Sequence, residues 1–330
     1  MIRSVCHHMV VRSTILAATM QIVALRSLPA QEPGAHNSLR IGLLTGGDRI
    51  ASRVTESASR GVRLGAAEAR QTSQLFGSDV ELFETVAGTD AAGAAQRLLS
   101  EKRIQVLIGA SARDVDALSR FAEANHVLFL NVVSRSQALR LACRRHTFHV
   151  EATDIMYANA ARSLTRSSVF AALSAAPIRP DSVVLWAAGL QRYGAGQIND
   201  RYQAHYHMTM DGAAWAGWIA VKIAAEASLR TRSTEPEKLL AYLESPNTEF
   251  DGHKGWPLSF RLADHQLRQP LYAALPVRAP ARERHETLRD VPELRDVGTT
   301  GDSAEPQSPS QALDRLMAGK SASRCPWVRH

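Results

Sequence analysis

The chain has 330 residues, of which 45% are hydrophobic and 22% are charged, and its net charge is +7 at pH 7. This composition is typical of a globular chain that can bury a core, and it excludes collagen, coiled-coil and wholly disordered classes. The arginines are scattered with no basic stripe interleaved with aromatic residues, so we expect no nucleic-acid binding. No apolar run reaches the length of about 18 residues that a membrane-spanning helix needs.

Residues 1–30 have the order of an export signal. Arg3 and Arg12 supply positive charge, Ser13–Leu25 is mostly apolar, and Ala30 closes the segment with a small side chain. That order is typical of a secretory signal peptide. The alternative is an amphipathic first helix or a misassigned start codon.

The sequence has three cysteines, which are too few for a disulfide scaffold, and no CxxC pair that would indicate zinc. Export would remove Cys6 and leave Cys143 and Cys325. In an oxidising compartment these two cysteines could form one bridge. The alternative is a pair of unrelated thiols.

The segment 38–150 alternates short apolar runs with amphipathic stretches of helical period. The predicted strands are Leu39–Leu44, Val80–Val86, Ile104–Ile108, Val127–Val133 and Thr147–Val150. The predicted helices are Val54–Ala69, Asp90–Lys102 with Thr89 as N-cap, Ser111–Asn125 and a further short helix. Repeated βα units predict an α/β fold with a doubly wound parallel sheet.

The regular alternation of predicted strands and helices ends after Glu151. The predicted helices are Tyr157–Ala172, Gly194–Tyr206, Asp211–Arg230 and Glu235–Leu243. The predicted strands are Ser182–Trp186 and a pair formed by Leu258–Arg261 and Arg268–Ala274, with a turn at Phe250–Gly252. From Ala279 onward Pro, Arg, Glu, Ser and Gly dominate, which predicts a mobile tail apart from a helix at Gln311–Met317.

Motifs of catalysis and cofactor binding are absent. The sequence contains no GxSxG, HExxH, EF-hand or Walker A pattern. Gly194–Asn199 resembles GxGxxG but ends in asparagine. The pairs His205 with His207 and His146 with His149 lack a recognised metal-ligand spacing. We therefore expect no cofactor, no metal and no enzymatic activity.

Polar loops follow the first, third and fourth predicted strands, at Thr45–Arg49, Ala110–Arg113 and Val133–Ser136. Open α/β sheets bind ligands at the carboxyl ends of their strands, so we expect these loops to share one crevice. The hydroxyls of Ser111, Ser134 and Ser136, with the backbone amides at helix starts, suit a carboxylate or another anion. The alternative is that the serines only cap helices.

The segments Arg40–Leu44, Val80–Val86 and Val106–Gly109, followed by Phe148–Val150 and Thr153–Ala158, form an ordered series. This series resembles the branched-chain amino-acid (Leu/Ile/Val) class of periplasmic substrate-binding proteins, which have the type I periplasmic-binding fold. The segment 250–272, with Asp264-His265-Gln266-Leu267-Arg268-Gln269-Pro270, is similar to the subgroup associated with pyrroloquinoline-quinone-dependent alcohol oxidation. The resemblance covers roughly residues 38–160 and 182–275.

The resemblance implies a substrate-binding component of an ABC importer. Such a protein captures a small amino-acid-like or alcohol-derived molecule in the periplasm, delivers it to a membrane permease and is expected to be a monomer. The residues that the resemblance places at the ligand are Ser111, Ser134, Arg135, Ser136, Tyr157 and Trp215. No acidic residue is identified that would hold a ligand ammonium.

The expected organisation is a signal peptide at 1–30 and a first part of lobe one at 38–150. A reduced lobe two with its crossover follows at 151–210, then a return to lobe one at 211–278 and a mobile tail at 279–330. Lobe two is expected to be reduced because Ala161 and Ser182 are too close in sequence for several βα units. Two alternatives remain: a degenerate relative that binds a partner, and an enzyme built on a doubly wound sheet.

Overall fold

The computed structural model of the protein describes residues 38–46, 52–166, 180–275, 293–297, 313–314, 316 and 325–327. The predicted signal peptide and most of the helix predicted at Gln311–Met317 lie outside these ranges. None of the helices in the described ranges combines the length and the apolarity needed to cross a lipid bilayer.

The first half of the described chain is a regular alternation of strands and helices. In chain order the elements are β1 (Ser38–Thr45), α1 (Ser52–Gln74), β2 (Asp79–Val86), α2 (Ala91–Lys102), β3 (Val106–Gly109), α3 (Val115–Asn125), β4 (Leu128–Asn131), α4 (Gln137–Leu141) and β5 (Thr147–His149). Every residue of β3, β4 and β5 is buried, as expected for strands covered by helices on both faces of a sheet.

These five strands form one parallel sheet, here called the main sheet, in the order β2-β1-β3-β4-β5. The order reverses between β1 and β3, which is where doubly wound sheets open a crevice at the carboxyl ends of their strands. The α/β fold with a doubly wound parallel sheet is therefore confirmed.

The second half begins with helices and ends with short strands. Its elements are α5 (Asp154–Arg166), a 3₁₀ turn (Pro180–Ser182), β6 (Val183–Val184), α6 (Ala195–Tyr206), α7 (Gly212–Thr231), α8 (Pro236–Glu244), β7 (Phe250–Asp251), β8 (Pro257–Phe260), β9 (Leu267–Arg268), β10 (Leu271–Leu275) and β11 (Glu293–Val297). The strands β7, β8 and β9 form one small antiparallel sheet, and β6, β10 and β11 form another.

Helix α7 returns the chain to the main sheet and packs against α1 at close range. A Cβ on Gly61 would overlap the carbonyl oxygen of Ala214, and one on Gly217 would overlap the carbonyl oxygen of Ala58. The backbones of the two helices therefore touch, which only glycine permits at these positions. Asp211 fixes the start of α7, because its carboxylate accepts a hydrogen bond from the Ala214 amide at 2.9 Å.

Two predicted helix starts are wrong. The N-cap of α2 is Asp90 rather than Thr89, because the Asp90 carboxylate accepts a hydrogen bond from the Gly93 amide at 2.8 Å. The third helix begins at Val115 rather than at Ser111, since the residues between them form a turn closed by the Asp114 amide on the Ser111 carbonyl at 3.1 Å. This turn leaves Ser111 in the loop that follows β3.

Three predictions for the second half also need correction. Phe250–Asp251 is a short strand paired with β8 rather than a turn, and the strand predicted at Arg268–Ala274 is divided between two sheets. Glu293–Val297 lies in the segment predicted to be a mobile tail, yet it pairs with β10. Backbone pairing with a distant strand gives this polar stretch an order that its composition does not indicate.

Cys143 and Cys325 form a disulfide. Of the two alternatives left open by the sequence, the bridge is the one found. The Cys325 amide also donates to the Ala263 carbonyl at 3.1 Å, and the Trp327 indole donates to the Leu262 carbonyl at 3.0 Å. Residues 325–327 are thus fixed beside the loop between β8 and β9.

Candidate ligand-binding site

The loops after β1 and β3 lie side by side at the carboxyl edge of the main sheet. The Ala110 amide donates to the Leu44 carbonyl at 3.0 Å, and a Cβ on Gly46 would lie 2.5 Å from the Ser111 hydroxyl oxygen. Because β4 is the next strand in the sheet, Ser134 follows at the same edge. The described residues of the three loops, which exclude 47–49, therefore lie at one edge of the sheet, and their sharing of one crevice stays a prediction.

Asp114 places a carboxylate beside this pair of loops. Its side chain is buried, and among the described residues its Oδ2 has no hydrogen-bond partner. The same oxygen would be 3.5 Å from a Cβ on Gly46, so it faces the loop after β1 next to Ser111. Oδ1 of the same carboxylate lies 3.4 Å from Nε of Arg113, so Oδ2 is the oxygen that is left to meet a ligand or a water molecule.

Arg135, Glu151 and Tyr157 form a second polar cluster at this edge. The Tyr157 hydroxyl donates to Oε1 of Glu151 at 2.7 Å, and Nε of Arg135 lies 3.4 Å from the same oxygen. The Arg135 guanidinium lies over the Tyr157 ring, 4.0 Å from its centroid. Glu151 and Tyr157 are buried, whereas the Arg135 side chain is 48% exposed. The guanidinium of Arg135 is therefore fixed by Glu151 and Tyr157, and it is still accessible to solvent.

The ionisation of this cluster follows from its burial. Burial raises the pKa of Glu151, although the charge of Arg135 and the hydrogen bond from Tyr157 oppose the rise. Burial and then the nearby carboxylate raise the pKa of Tyr157 well above its ordinary value. The tyrosine therefore keeps its proton and remains a hydrogen-bond donor at neutral pH.

Ser134 and Ser136 are engaged in holding the loop after β4. The Ser134 amide donates to Oδ1 of Asn131 at 2.8 Å, and the Asn131 side-chain amide donates back to the Ser134 carbonyl at 2.8 Å. Ser136 is exposed at the start of α4, where its hydroxyl makes no capping bond. A ligand contact by either hydroxyl stays a prediction.

Arg140 fastens the loop after β4 to the end of β5. Its guanidinium donates to the carbonyls of Ser134, Ser136 and Glu151 at 2.9, 3.0 and 2.6 Å. It also donates to the Gln266 side chain at 3.0 Å. Burial lowers the pKa of Arg140 to about 10, so it is still charged at neutral pH. These bonds give the loop a fixed conformation before any ligand arrives.

Trp215 is fully buried and stacks on Trp186 with a ring separation of 5.8 Å. The ammonium of Lys254 lies 3.9 Å from the Trp215 ring centroid and donates to Gln269 and to the Pro270 carbonyl, each at 3.0 Å. The cation–aromatic contact and both hydrogen bonds compensate the burial of this lysine. A ligand contact by Trp215 stays a prediction.

Four residues of the site region escaped sequence reasoning: Asp114, Arg140, Glu151 and Lys254. Glu151 carried a usable signal, because it directly follows the strand predicted at Thr147–Val150 and therefore lies at the carboxyl edge. Asp114 was hidden within a predicted helix. The buried cations carried no signal, since their partners are distant in sequence and lysine and arginine are rarely buried.

Among solved structures the chain is similar to several periplasmic and solute-binding proteins. One is a periplasmic binding protein from Burkholderia mallei, 12% identical, with 89% of this chain and 100% of that chain covered and a TM-score of 0.64. Another is an ABC-transporter solute-binding protein from Rhodopseudomonas palustris in complex with benzoate, 13% identical, with 72% and 92% covered and a TM-score of 0.58.

A third is the branched-chain amino acid transporter substrate-binding protein from Streptococcus pneumoniae in complex with isoleucine. It is 12% identical, with 72% of this chain and 95% of that chain covered and a TM-score of 0.56. The protein has the type I periplasmic-binding fold. No family model matches the sequence, and no curated protein matches it.

Proposed function

We propose that the protein is the substrate-binding component of an ABC-type importer and binds a small carboxylate-bearing molecule. The observation that carries the proposal is that the Ser111 hydroxyl and the buried Oδ2 of Asp114, which has no hydrogen-bond partner among the described residues, both lie beside Gly46 at the switch point of the sheet. The hydroxyl and the nearby backbone amides suit a ligand carboxylate, and Asp114 suits an ammonium or hydroxyl donor on the same ligand.

Arg135 is the cation that we assign to the ligand carboxylate in this proposal. It is held in place by Glu151 and by the Tyr157 ring, and half of its side chain is open to solvent. The benzoate and isoleucine bound by two of the similar proteins are both small carboxylates. By the resemblance to the alcohol-oxidation subgroup, acids derived from small alcohols belong in the same screen.

We also propose where the protein acts and with what partner. Residues 1–30 are a signal peptide, and the mature protein is a monomer in the periplasm. Besides its ligand, it binds a membrane permease. Mass spectrometry of periplasmic material should find an N-terminus near Gln31. Recovery of the intact Met1 form from the cytosol alone would contradict export.

A binding screen tests the ligand. The purified protein is screened by thermal shift against branched-chain amino acids, benzoate and short-chain acids, and each hit is titrated by calorimetry. We expect Ser111→Ala, Asp114→Asn and Arg135→Met each to weaken binding about tenfold or more, the equivalent of one charge-assisted hydrogen bond. Arg97→Met, on the exposed side of α2, is the matched control and should bind as the wild type does.

Uptake of the identified ligand by cells with and without the gene then tests the transport role. A ligand whose affinity is indifferent to all three site variants would place binding elsewhere on the molecule and contradict the assigned site. Normal uptake in cells that lack the protein would contradict the importer assignment.

A further inference from the structure

A cluster of two histidines and a carboxylate lies at the edge of the main sheet opposite the ligand-binding loops. His126 and His146 precede the amino ends of β4 and β5, where each is followed within two residues by the strand. Glu237 comes from the first turn of α8. Residues far apart in the sequence thus meet at one point because parallel strands begin at the same edge.

The contacts within the cluster converge on a single carboxylate oxygen. Nδ1 of His126 lies 3.0 Å from Oε1 of Glu237, and Nε2 of His146 lies 2.9 Å from the same oxygen. The two imidazole rings meet edge to face with centroids 4.9 Å apart. One ligand atom from each residue lies within 4.8 Å of the others. The three side chains therefore present two nitrogens and one oxygen to a common point.

Glu123 orients the buried member of the cluster. Its Oε2 lies 3.1 Å from Nδ1 of His146 and also accepts the His146 backbone amide at 2.9 Å. A carboxylate on one ring nitrogen favours the tautomer in which that nitrogen carries the proton. Nε2 of His146 then points at Oε1 of Glu237 from 2.9 Å. Either a second proton on the ring or a metal ion has to lie between these two atoms.

A metal ion would contact both imidazole nitrogens and the carboxylate oxygen at once. The alternative is an ordinary hydrogen bond from each ring, from Nδ1 of His126 and from Nε2 of His146, to the same oxygen. Zinc bonds to nitrogen and oxygen of about 2.0–2.2 Å in a tetrahedral site separate the ligand atoms by roughly 3.4 Å. A small opening of the cluster therefore makes room for an ion.

We propose that His126, His146 and Glu237 bind one divalent transition-metal ion, with Glu123 holding His146 in position through its contacts with the backbone amide and Nδ1 of that histidine. Two imidazoles and a carboxylate select Zn²⁺, Cu²⁺, Ni²⁺ or Co²⁺ over Mg²⁺ or Ca²⁺. The side chains of His126 and Glu237 are 71% and 57% exposed, so a fourth position opens to water. A bound ion would join the end of α3 and the start of α8 to the start of β5.

The chain offers a closely matched pair of variants for testing this site. His126 and His207 both end a helix in the left-handed conformation, with φ of 53° and 54°, and both are exposed. Asparagine tolerates that conformation well, so His126→Asn and His207→Asn should both fold. Only His126 lies beside a second histidine and a carboxylate.

The test titrates ZnCl₂ into metal-free protein made without a histidine tag, by calorimetry, with Cu²⁺ electron paramagnetic resonance to count the nitrogen ligands. We expect one ion per chain, two nitrogens on copper, and a loss of affinity of at least tenfold in His126→Asn and in Glu237→Gln. Glu123→Gln should weaken binding roughly 10–100-fold, as loss of an outer carboxylate does. His207→Asn should bind as the wild type does.

Equal zinc affinity in the wild type, His126→Asn and Glu237→Gln would overturn the proposal, because binding would then arise elsewhere, for example at His7 and His8. So would the absence of any zinc heat in folded wild-type protein, since protons would then bridge the cluster. Neither result bears on ligand binding at the opposite edge of the sheet.

Discussion

Tyr157 and Glu151 form a buried donor–acceptor pair, with the phenolic oxygen 2.7 Å from Oε1 of the carboxylate. Oε1 of Glu151 also accepts a hydrogen bond from the Ala152 amide at 3.1 Å and lies 3.4 Å from Nε of Arg135. The stability of the loop after β5 therefore depends on a hydroxyl that comes from α5. This pair links the crossover helix to the candidate site.

We expect Tyr157→Phe to lower the free energy of unfolding by about 1–3 kcal/mol, because the variant leaves a buried carboxylate short of a donor. Tyr206→Phe is the control, since the Tyr206 hydroxyl donates to the neutral Arg60 carbonyl at 2.9 Å. Its loss should cost about 0.5–1.5 kcal/mol. Urea denaturation at neutral pH measures both, and a larger loss in the control would contradict the role given to Glu151.

We expect Glu244 to contribute to the loss of folding stability at acidic pH. Burial raises the pKa of this carboxyl, but the contact with His265 at 3.2 Å and two hydrogen bonds from Arg145 at 2.9 and 2.7 Å outweigh it and hold the pKa at about 2. A pKa below the ordinary 4.5 means that the stabilisation is complete above pH 4.5 and is lost as the pH falls toward 2.

Glu244→Gln should therefore flatten the fall in stability between pH 4.5 and about 2. Because the group is only partly shielded, we expect an effect on the order of 1–2 kcal/mol after solvent screening. Thermal unfolding across this pH range measures it, with exposed Glu249→Gln as the control. An unchanged acid limb in Glu244→Gln would count against the ion pair with Arg145.

The disulfide between Cys143 and Cys325 closes a long loop of the unfolded chain. Cys143→Ser together with Cys325→Ser should lower the free energy of unfolding by about 2–5 kcal/mol, as the loss of a native disulfide typically does. Thiol titration of the unfolded, unreduced protein should find none once residues 1–30 are removed, and only Cys6 while they remain. Two further titratable thiols would show that the bridge does not form.

The contact between α1 and α7 predicts that replacing its glycines by alanine destabilises the protein to different degrees. Alanine in place of glycine within a helix ordinarily stabilises by about 0.5–1 kcal/mol. Here the overlap of the added Cβ with the facing backbone is greatest at Gly61, smaller at Gly217 and least at Gly65, where the nearest atom is 2.8 Å away. We expect destabilisation in that order, reaching about 3 kcal/mol at Gly61. Stabilisation by Gly61→Ala would contradict the close packing.

The sequence predicts that residues 151–210 form a reduced second lobe, and ligand affinity tests this prediction. Ligand sites generally enclose about 70–90% of the ligand surface, and a cleft with one small lobe leaves its hydrogen bonds competing with water. Three or four bonds worth about 0.5–1.5 kcal/mol each, set against the entropy of association, correspond to a Kd no better than roughly millimolar. Calorimetry on the monomer measures this, and a micromolar ligand would show that the second lobe closes fully.

The parts of the fold that local pattern determines were predictable. Val127–Val133 is apolar except for Asn131, so a buried strand is the natural interpretation, and Asp211 before an alanine-rich stretch marks the start of α7. The junction between β9 and β10 was not predictable, because Gln269 and Pro270 separate two sheets only through contacts such as Gln269 with the Val150 carbonyl at 2.6 Å.

The candidate site was predictable in position but not in composition. The edge of the sheet follows from strand order, so Ser111 and Ser134 are placed correctly by topology alone. The burial of Glu151 and Lys254 depends on partners brought from other parts of the chain, and their local sequence resembles that of solvated loops. A buried charge that is compensated by partners distant in the sequence produces no periodic pattern from which its burial could be predicted.

The glycine contact between α1 and α7 also sets an order of events during synthesis. The face of α1 around Gly61 receives its cover from residues 212–231, which leave the ribosome long after α1 itself. At roughly 5–20 residues per second, the intervening stretch of about 150 residues takes on the order of 8–30 s to translate. For that interval α1 lacks the helix that buries it, so the nascent chain presents an apolar surface to which chaperones can bind before α7 covers it.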